Sequence, residues 1–193
     1  MKILFHVCCA PCSAACIDSL REEGIEFSLY WYNPNIHPYT EYKNRRDCLL
    51  EYAKTLDLPL VMEDQYGLRP FLAALDAGDL RNLNPDRRCA FCYRLRLEKT
   101  ARAVREGGFE GFSTSLLISP YQAHGQIRET AQALADQYGV EFLYRDFRPL
   151  FRKGQAKARA AGLYMQKYCG CIFSEEERYI RRPRPLAAKE GAR

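Results

Sequence analysis

The sequence has no long hydrophobic run, no visible internal repeat and only three histidines. Its N-terminal apolar stretch carries one lysine and is too brief for a signal peptide or a membrane-spanning helix. A cytoplasmic protein with no membrane partner is expected. With so few histidines, imidazole chemistry has little material. His6 sits inside an apolar stretch and reads as core, which leaves His37 and His124, in expected edge loops, to meet a substrate.

Cysteine, by contrast, is plentiful: nine in 193 residues. In a reducing compartment that number does not imply a disulfide framework, so metal ligation or catalysis takes precedence. The length suits one domain, expected over residues 1–180. Hydrophobic content of 47% and charged content of 27% describe an ordinary globular protein. The net charge of +5 is uneven. From Arg145 onward, 13 Lys/Arg face 5 Asp/Glu, a net of +8; the preceding residues hold 16 against 19, a net of −3. A basic C-terminal segment on a near-neutral body suggests a polyanionic partner, most simply nucleic acid, although a solvated helix face explains part of it.

The chain is organised around MKILFHVCCAPCSAAC. Lys2 to Val7 has the composition of a buried strand, and Pro11 fits the first turn of a following helix. Cys8 and Cys9 thus fall at the carboxyl end of a first strand, with Cys12 just inside the helix. Ligands bind at that edge in open α/β sheets, and a helix N-terminus favours the thiolate that binds metal.

Further on, Pro11–Glu23 reads as a helix, Ile25–Tyr32 as a strand and Asn33–Tyr39, with two prolines, as a loop. Thr40–Asp57 is an expected helix, Pro59–Glu63 a strand, Gly67–Ala77 a helix and Gly78–Arg88 a polar loop. Then come a helix over Cys89–Glu106, a strand over Phe109–Ser115, a helix over Ile127–Tyr138 and a strand over Val140–Tyr144. Lys153–Gln166 and Ser174–Tyr179 read as helices, and residues 181–193 as a basic, disordered tail. Strands alternating with long helices imply a Rossmann-like α/β fold: three layers, with helices on both faces of a mostly parallel sheet.

Three cysteine groups carry the chemistry: Cys8/Cys9/Cys12, Cys89/Cys92 and Cys169/Cys171. Each follows a strand or opens a helix, so all three can meet at one sheet edge. In Cys89-x-x-Cys92 the i, i+3 spacing puts both sulfurs on one helical face. Adjacent cysteines are unusual for structural zinc, whereas Cys₄ ligation of an iron–sulfur cluster suits the set; zinc stays as the structural alternative. In Cys169-Gly170-Cys171 the glycine permits a small strained disulfide ring, a labile type, but two further metal ligands fit nearly as well. Cys16 and Cys48 fall on apolar helix stretches and read as core. Tyr30, Trp31, Tyr32, Tyr39 and Tyr42 are mostly core, with room for one to stack on an RNA base. Ser113–Gln122 should bring hydroxyls and backbone N–H groups to the fourth strand's end.

At HVCCAPCS, NPNIHPYTEYKNR, RCAFCYRLRLEKTA, FSTSLLISPYQ and YCGCIFSEEER the chain resembles the QueH-type epoxyqueuosine reductases, from residue 3 to about 180. The resemblance implies a fold like that of the adenine nucleotide α-hydrolases. It implies reduction of the epoxide of epoxyqueuosine, at the wobble position of tRNA, to queuosine, using iron–sulfur chemistry and no cobalamin. It further implies Cys8, Cys9, Cys89 and Cys92 as [4Fe–4S] ligands and Cys169 with Cys171 as a redox-active pair. Cys12 stands where some members have Asp, a position suited to ligating an additional iron. The SGGxDS loop of ATP-pyrophosphatases is missing at the first strand, which argues against ATP hydrolysis. The electron donor is not implied. A zinc-stabilised RNA-binding module and a thiol–disulfide oxidoreductase using CGC alone are the competing readings.

Overall fold

The computed structural model describes residues 1–76 and 84–180. Residues 78–83 of the expected polar loop and the expected tail over 181–193 lie outside them. In chain order the elements are β1 (Lys2–His6), α1 (Ala10–Glu22), β2 (Glu26–Trp31), α2 (Tyr39–Thr55), β3 (Leu60–Met62), α3 (Leu68–Asp76), α4 (Pro85–Gly107), β4 (Gly111–Thr114), α5 (His124–Tyr138), β5 (Glu141–Phe142), α6 (Phe151–Ala160) and α7 (Ile172–Tyr179). Among the described residues no helix is long and apolar enough to cross a membrane.

The five strands form one sheet in the order β3-β2-β1-β4-β5, and every pairing is parallel. The central strand, β1, is the most apolar, as a strand covered on both faces must be. Right-handed crossovers on either side of β1 put α1 and α2 on one face and α4 and α5 on the other. The packing agrees: α1 lies against α2 and α6, and α4 against α5. This is the expected three-layer α/β architecture. Its strand order reverses between β1 and β4, where open α/β sheets take their ligands.

The core is built on this sheet from Ile3, Leu4, Phe5, Leu29, Trp31 and Phe112, all within 1% of complete burial. Phe5 sits edge-on to Phe27 at 6.2 Å and to Phe147 at 6.3 Å, favourable aromatic geometry that binds the sheet to its covering segments. Tyr30, Trp31 and Tyr42 belong to the same core, as their composition suggests. A smaller cluster joins Phe71 and Leu75 of α3 to Cys92 and Cys171.

Three helices depart from expectation: α5 begins three residues early, at His124. α4 begins a turn earlier, because Asn84 caps it through a hydrogen bond from the Arg87 N–H (2.9 Å) and Pro85 occupies its first position. The Cys89-x-x-Cys92 pair therefore lies inside the helix, not at its start. α6 is shorter than the Ala-rich composition suggests, running Phe151–Ala160 only.

The loop after β2 is buried. His37, expected to face substrate, is fully buried: its Nε2 is hydrogen-bonded to the Pro34 carbonyl (3.0 Å) and its ring packs against Phe71. Burial lowers its pKa to about 4. Between pH 6.5 and 4 the unfolded chain takes up a proton at His37 that the folded chain refuses. Stability from this group is thus complete above pH 6.5 and is lost as pH falls through that window, by at most ~3 kcal/mol. The melting temperature should fall accordingly, and His37→Gln, which keeps a donor for Pro34, should flatten the fall. Equal pH dependence of the two proteins would contradict the assignment.

Candidate metal and redox site

The first cysteine group forms at the carboxyl end of β1. Asn33 Nδ2 donates to the Val7 carbonyl (2.9 Å), and the Cys8 N–H donates to Ser115 Oγ (3.1 Å) just past β4, so the β1–β4 gap fixes the chain as it leaves the sheet. Cys9 then caps α1, with Pro11 in the helix's first turn. The result is three thiols, Cys8, Cys9 and Cys12, whose sulfurs all lie within 4.8 Å of one another. Hydrogen bonds from Cys12 and Cys9 hold the Cys8 thiol well below its usual pKa, with help from the Ser115 hydroxyl at 3.5 Å. Burial pushes Cys9 up, and donation to Cys8 pushes Cys12 up. Three thiols gathered this closely, with Cys8 biased toward the thiolate, are the start of a thiolate ligand set.

The second group comes from α4. Burial raises Cys89 and pushes Cys92 up to about 12. Neither sulfur falls within the 4.8 Å triad. The stripe Arg88, Cys92, Arg96, Thr100 repeats every four residues, and all four side chains are buried. The Arg96 guanidinium donates to the Cys92 carbonyl (3.0 Å) and to Cys92 Sγ (3.2 Å). Its charge also favours the thiolate at Cys8, Cys89 and Cys169.

The third group is held from several sides. Arg45, 1% exposed, donates to the carbonyls of Cys169 (2.8 Å) and Tyr168 (2.9 Å) and is anchored by Glu41 at 2.7 Å. The His37 N–H donates to the Gly170 carbonyl (2.8 Å), and Tyr168 Oη returns a bond to the His37 carbonyl (2.7 Å). Beyond it, Arg88 pairs with Glu177 of α7 (2.9 Å). Gly170 has φ +149°, and a Cβ there would lie 3.3 Å from both Arg45 Nη1 and Ile36. The glycine is thus required by the backbone and by the crowding of Arg45. Cys169 is exposed and Cys171 buried.

The glutamines approach two of these thiols. Gln166 Nε2 lies 3.0 Å from Cys12 Sγ and Gln122 Nε2 lies 3.7 Å from Cys169 Sγ. Buried polar atoms without partners, Asn35 Nδ2 and Oδ1 and Asn33 Oδ1 among them, lie in the segment that flanks the Cys169–Cys171 loop. Buried polar groups are normally satisfied, so these are free to bond to a bound group. His124 opens α5 instead of lying in a loop, its Nε2 3.0 Å from Tyr144 Oη. Cys16 is core as expected; Cys48 is half-buried and its sulfur accepts from the Tyr164 N–H (3.3 Å).

Arg45, Arg88 and Arg96 are functional residues that composition hid. In sequence they look like the solvated face of a helix. The signal that separates two of them is the four-residue spacing that places Arg88 and Arg96 on either side of Cys92.

Comparison with known proteins gives a match to the family model described as epoxyqueuosine reductase QueH over residues 3–177. The chain belongs to this family. It is 38% identical to the QueH epoxyqueuosine reductase of Dehalococcoides mccartyi, covering 92% of this chain and 94% of that protein. The Thermotoga maritima QueH is 36% identical, with 91% of each chain covered, and the Haemophilus influenzae QueH 33% identical, covering 90% and 71%. Among solved structures, a predicted subunit of tRNA methyltransferase from Methanocaldococcus jannaschii aligns with 15% identity and TM-score 0.47 over 81% of this chain and 76% of that one, too distant to carry an argument. QueH membership accounts for the motifs that run from Cys8 to Cys171.

Gly170→Ala should destabilise the folded protein by about 1–3 kcal/mol, since alanine meets both an unfavourable φ and the Arg45 guanidinium. Urea denaturation reads this directly; wild-type stability would contradict the crowding argument.

Proposed function

We propose that this chain is a cytoplasmic epoxyqueuosine reductase that acts on the modified base at the wobble position of tRNA. The proposed cofactor is a [4Fe–4S] cluster held by Cys8, Cys9, Cys89 and Cys92, without cobalamin. The observation that carries this reading is the gathering of the Cys8, Cys9 and Cys12 sulfurs within 4.8 Å of one another at the sheet edge, in a chain of the QueH family. The donor set fits such a cluster: thiols only, mostly buried, around a buried cation.

Converting an epoxide to an alkene consumes two electrons and two protons and releases the oxygen as water. When bound, the cluster supplies electrons one at a time, so a second redox element is needed. The Cys169/Cys171 dithiol supports that role, because Cys169 is exposed where an external donor of electrons reaches it while Cys171 is buried beside Cys92. The place of Cys12 in the thiol triad supports its reading as a ligand of an additional iron. Gln122 orients the Cys169 thiol through its amide.

For tRNA, exposed Arg152 and Lys153 on α6 stand beside Tyr121, which is 86% exposed and edge-on to Phe151 at 5.8 Å. Lys157 on the same helix is occupied by Asp18 at 2.5 Å and so is a weaker phosphate contact than its charge suggests.

Replacing Cys89 or Cys92 with Ser should abolish the brown chromophore of the anaerobically prepared protein together with its iron and sulfide. A full complement of both in either variant would overturn the ligand assignment, and tightly bound zinc in a colourless wild type would favour the RNA-binding module. Neutralising Arg152 and Lys153 together should reduce the slope of log affinity against log salt for tRNA by up to ~2. An unchanged slope would move the tRNA surface to Arg94 and Lys99 on α4.

A further inference from the structure

We infer that Arg96 is the counter-charge of the iron–sulfur centre: it favours assembly of the anionic ligand set and raises the centre's reduction potential. The inference rests on the cluster reading above and deepens it.

Three arginines of the site are buried, and two have carboxylates. Arg45 pairs with Glu41 at 2.7 Å and Arg88 with Glu177 at 2.9 Å. Arg96 differs. It is 2% exposed, and among the described residues no carboxylate lies within 4.0 Å of it. Among the described residues the guanidinium donates to one residue, to the carbonyl and sulfur of Cys92. The Tyr93 ring lies 6.0 Å from the guanidinium, a weak source of compensation. A buried cation without an anion is strongly disfavoured, and the fold tolerates one only where a negative charge answers it.

The group in contact with Arg96 that can supply that charge is the Cys92 thiol, at 3.2 Å, with Cys89 one turn before it on the same helix. Burial raises the Tyr93 phenol and His6 is a base, so neither answers the charge. While Cys89 and Cys92 are thiols they carry no charge, and Arg96 has no anion in contact with it among the described residues. Each becomes anionic on binding iron, because the ligand is the thiolate. Loading the site therefore creates the charge that Arg96 lacks. A further electron adds negative charge beside the same cation, inside a low-dielectric site where the attraction is strong. Net charge and hydrogen bonds to sulfur are among the main determinants of cluster potential, and Arg96 supplies both at Cys92.

The test compares Arg96→Gln and Arg96→Lys with wild type, after anaerobic reconstitution, by iron and sulfide content and by a spectroelectrochemical redox titration. Glutamine keeps a donor and removes the charge; lysine keeps the charge and loses the fork. The expected midpoint potential is lowest for Arg96→Gln, with Arg96→Lys closer to wild type. If Arg96→Gln fails to load, the inference still expects Arg96→Lys to hold a cluster. Equal potentials in wild type and Arg96→Gln would overturn it, as would equal loss of potential or of cluster in both variants, which would make packing, not charge, the cause. A wild-type protein that assembles no iron–sulfur cluster would instead overturn the cluster reading itself.

Discussion

The site depends on the cost of burying charge. Thiols withdrawn from water resist ionisation, and a guanidinium withdrawn from water demands an anion. The edge between β1 and β4 brings the two problems together: Arg96 reaches Cys92 directly at 3.2 Å and acts on Cys8 across the sheet end. Neither group is well accommodated alone. The proposed anionic, thiolate-bound centre resolves both.

The parallel sheet makes this possible. Because every strand runs the same way, the segments after β1, β2 and β4 emerge at one edge. Cys8 and Cys9 follow the first, the Asn33–His37 loop the second, and Ser115 the third. The Cys169–Cys171 loop comes from outside the sheet and is fastened by main-chain bonds from Arg45 and His37. Its position therefore depends on the buried polar ties of the loop after β2, and not on apolar packing alone.

Much of this was legible in the sequence, and for identifiable reasons. β1 and α1 follow from a short apolar run, Pro11 and the cysteines between them, and their bounds differ from expectation by one residue at most. The alternation of strands and helices likewise gives the parallel architecture. α4 was harder, since its Asn84–Pro85 start lies within a polar stretch that reads as loop. The family motifs contain every cysteine of the site and also Arg45, Arg88 and Arg96, but nothing in them marks those charges as buried. Arg45 and Arg96 look like surface residues because composition carries no burial; only the topology, by folding α2 and α4 over the sheet edge, puts their guanidinium groups inside. His37 misled for the opposite reason: a proline-rich loop normally runs over the surface, and here α3 covers it through Phe71.

The central claim is that electrons reach the epoxide from a cluster held at this edge. A single-turnover experiment tests it most directly. The anaerobically reconstituted, pre-reduced protein is mixed with tRNA carrying epoxyqueuosine, and queuosine formation is followed by mass spectrometry alongside the paramagnetic signal of the reduced cluster. The account predicts that queuosine appears as that signal disappears, on the same time course. Queuosine formed at the same rate by protein stripped of iron, or with the cluster signal unchanged, would contradict it.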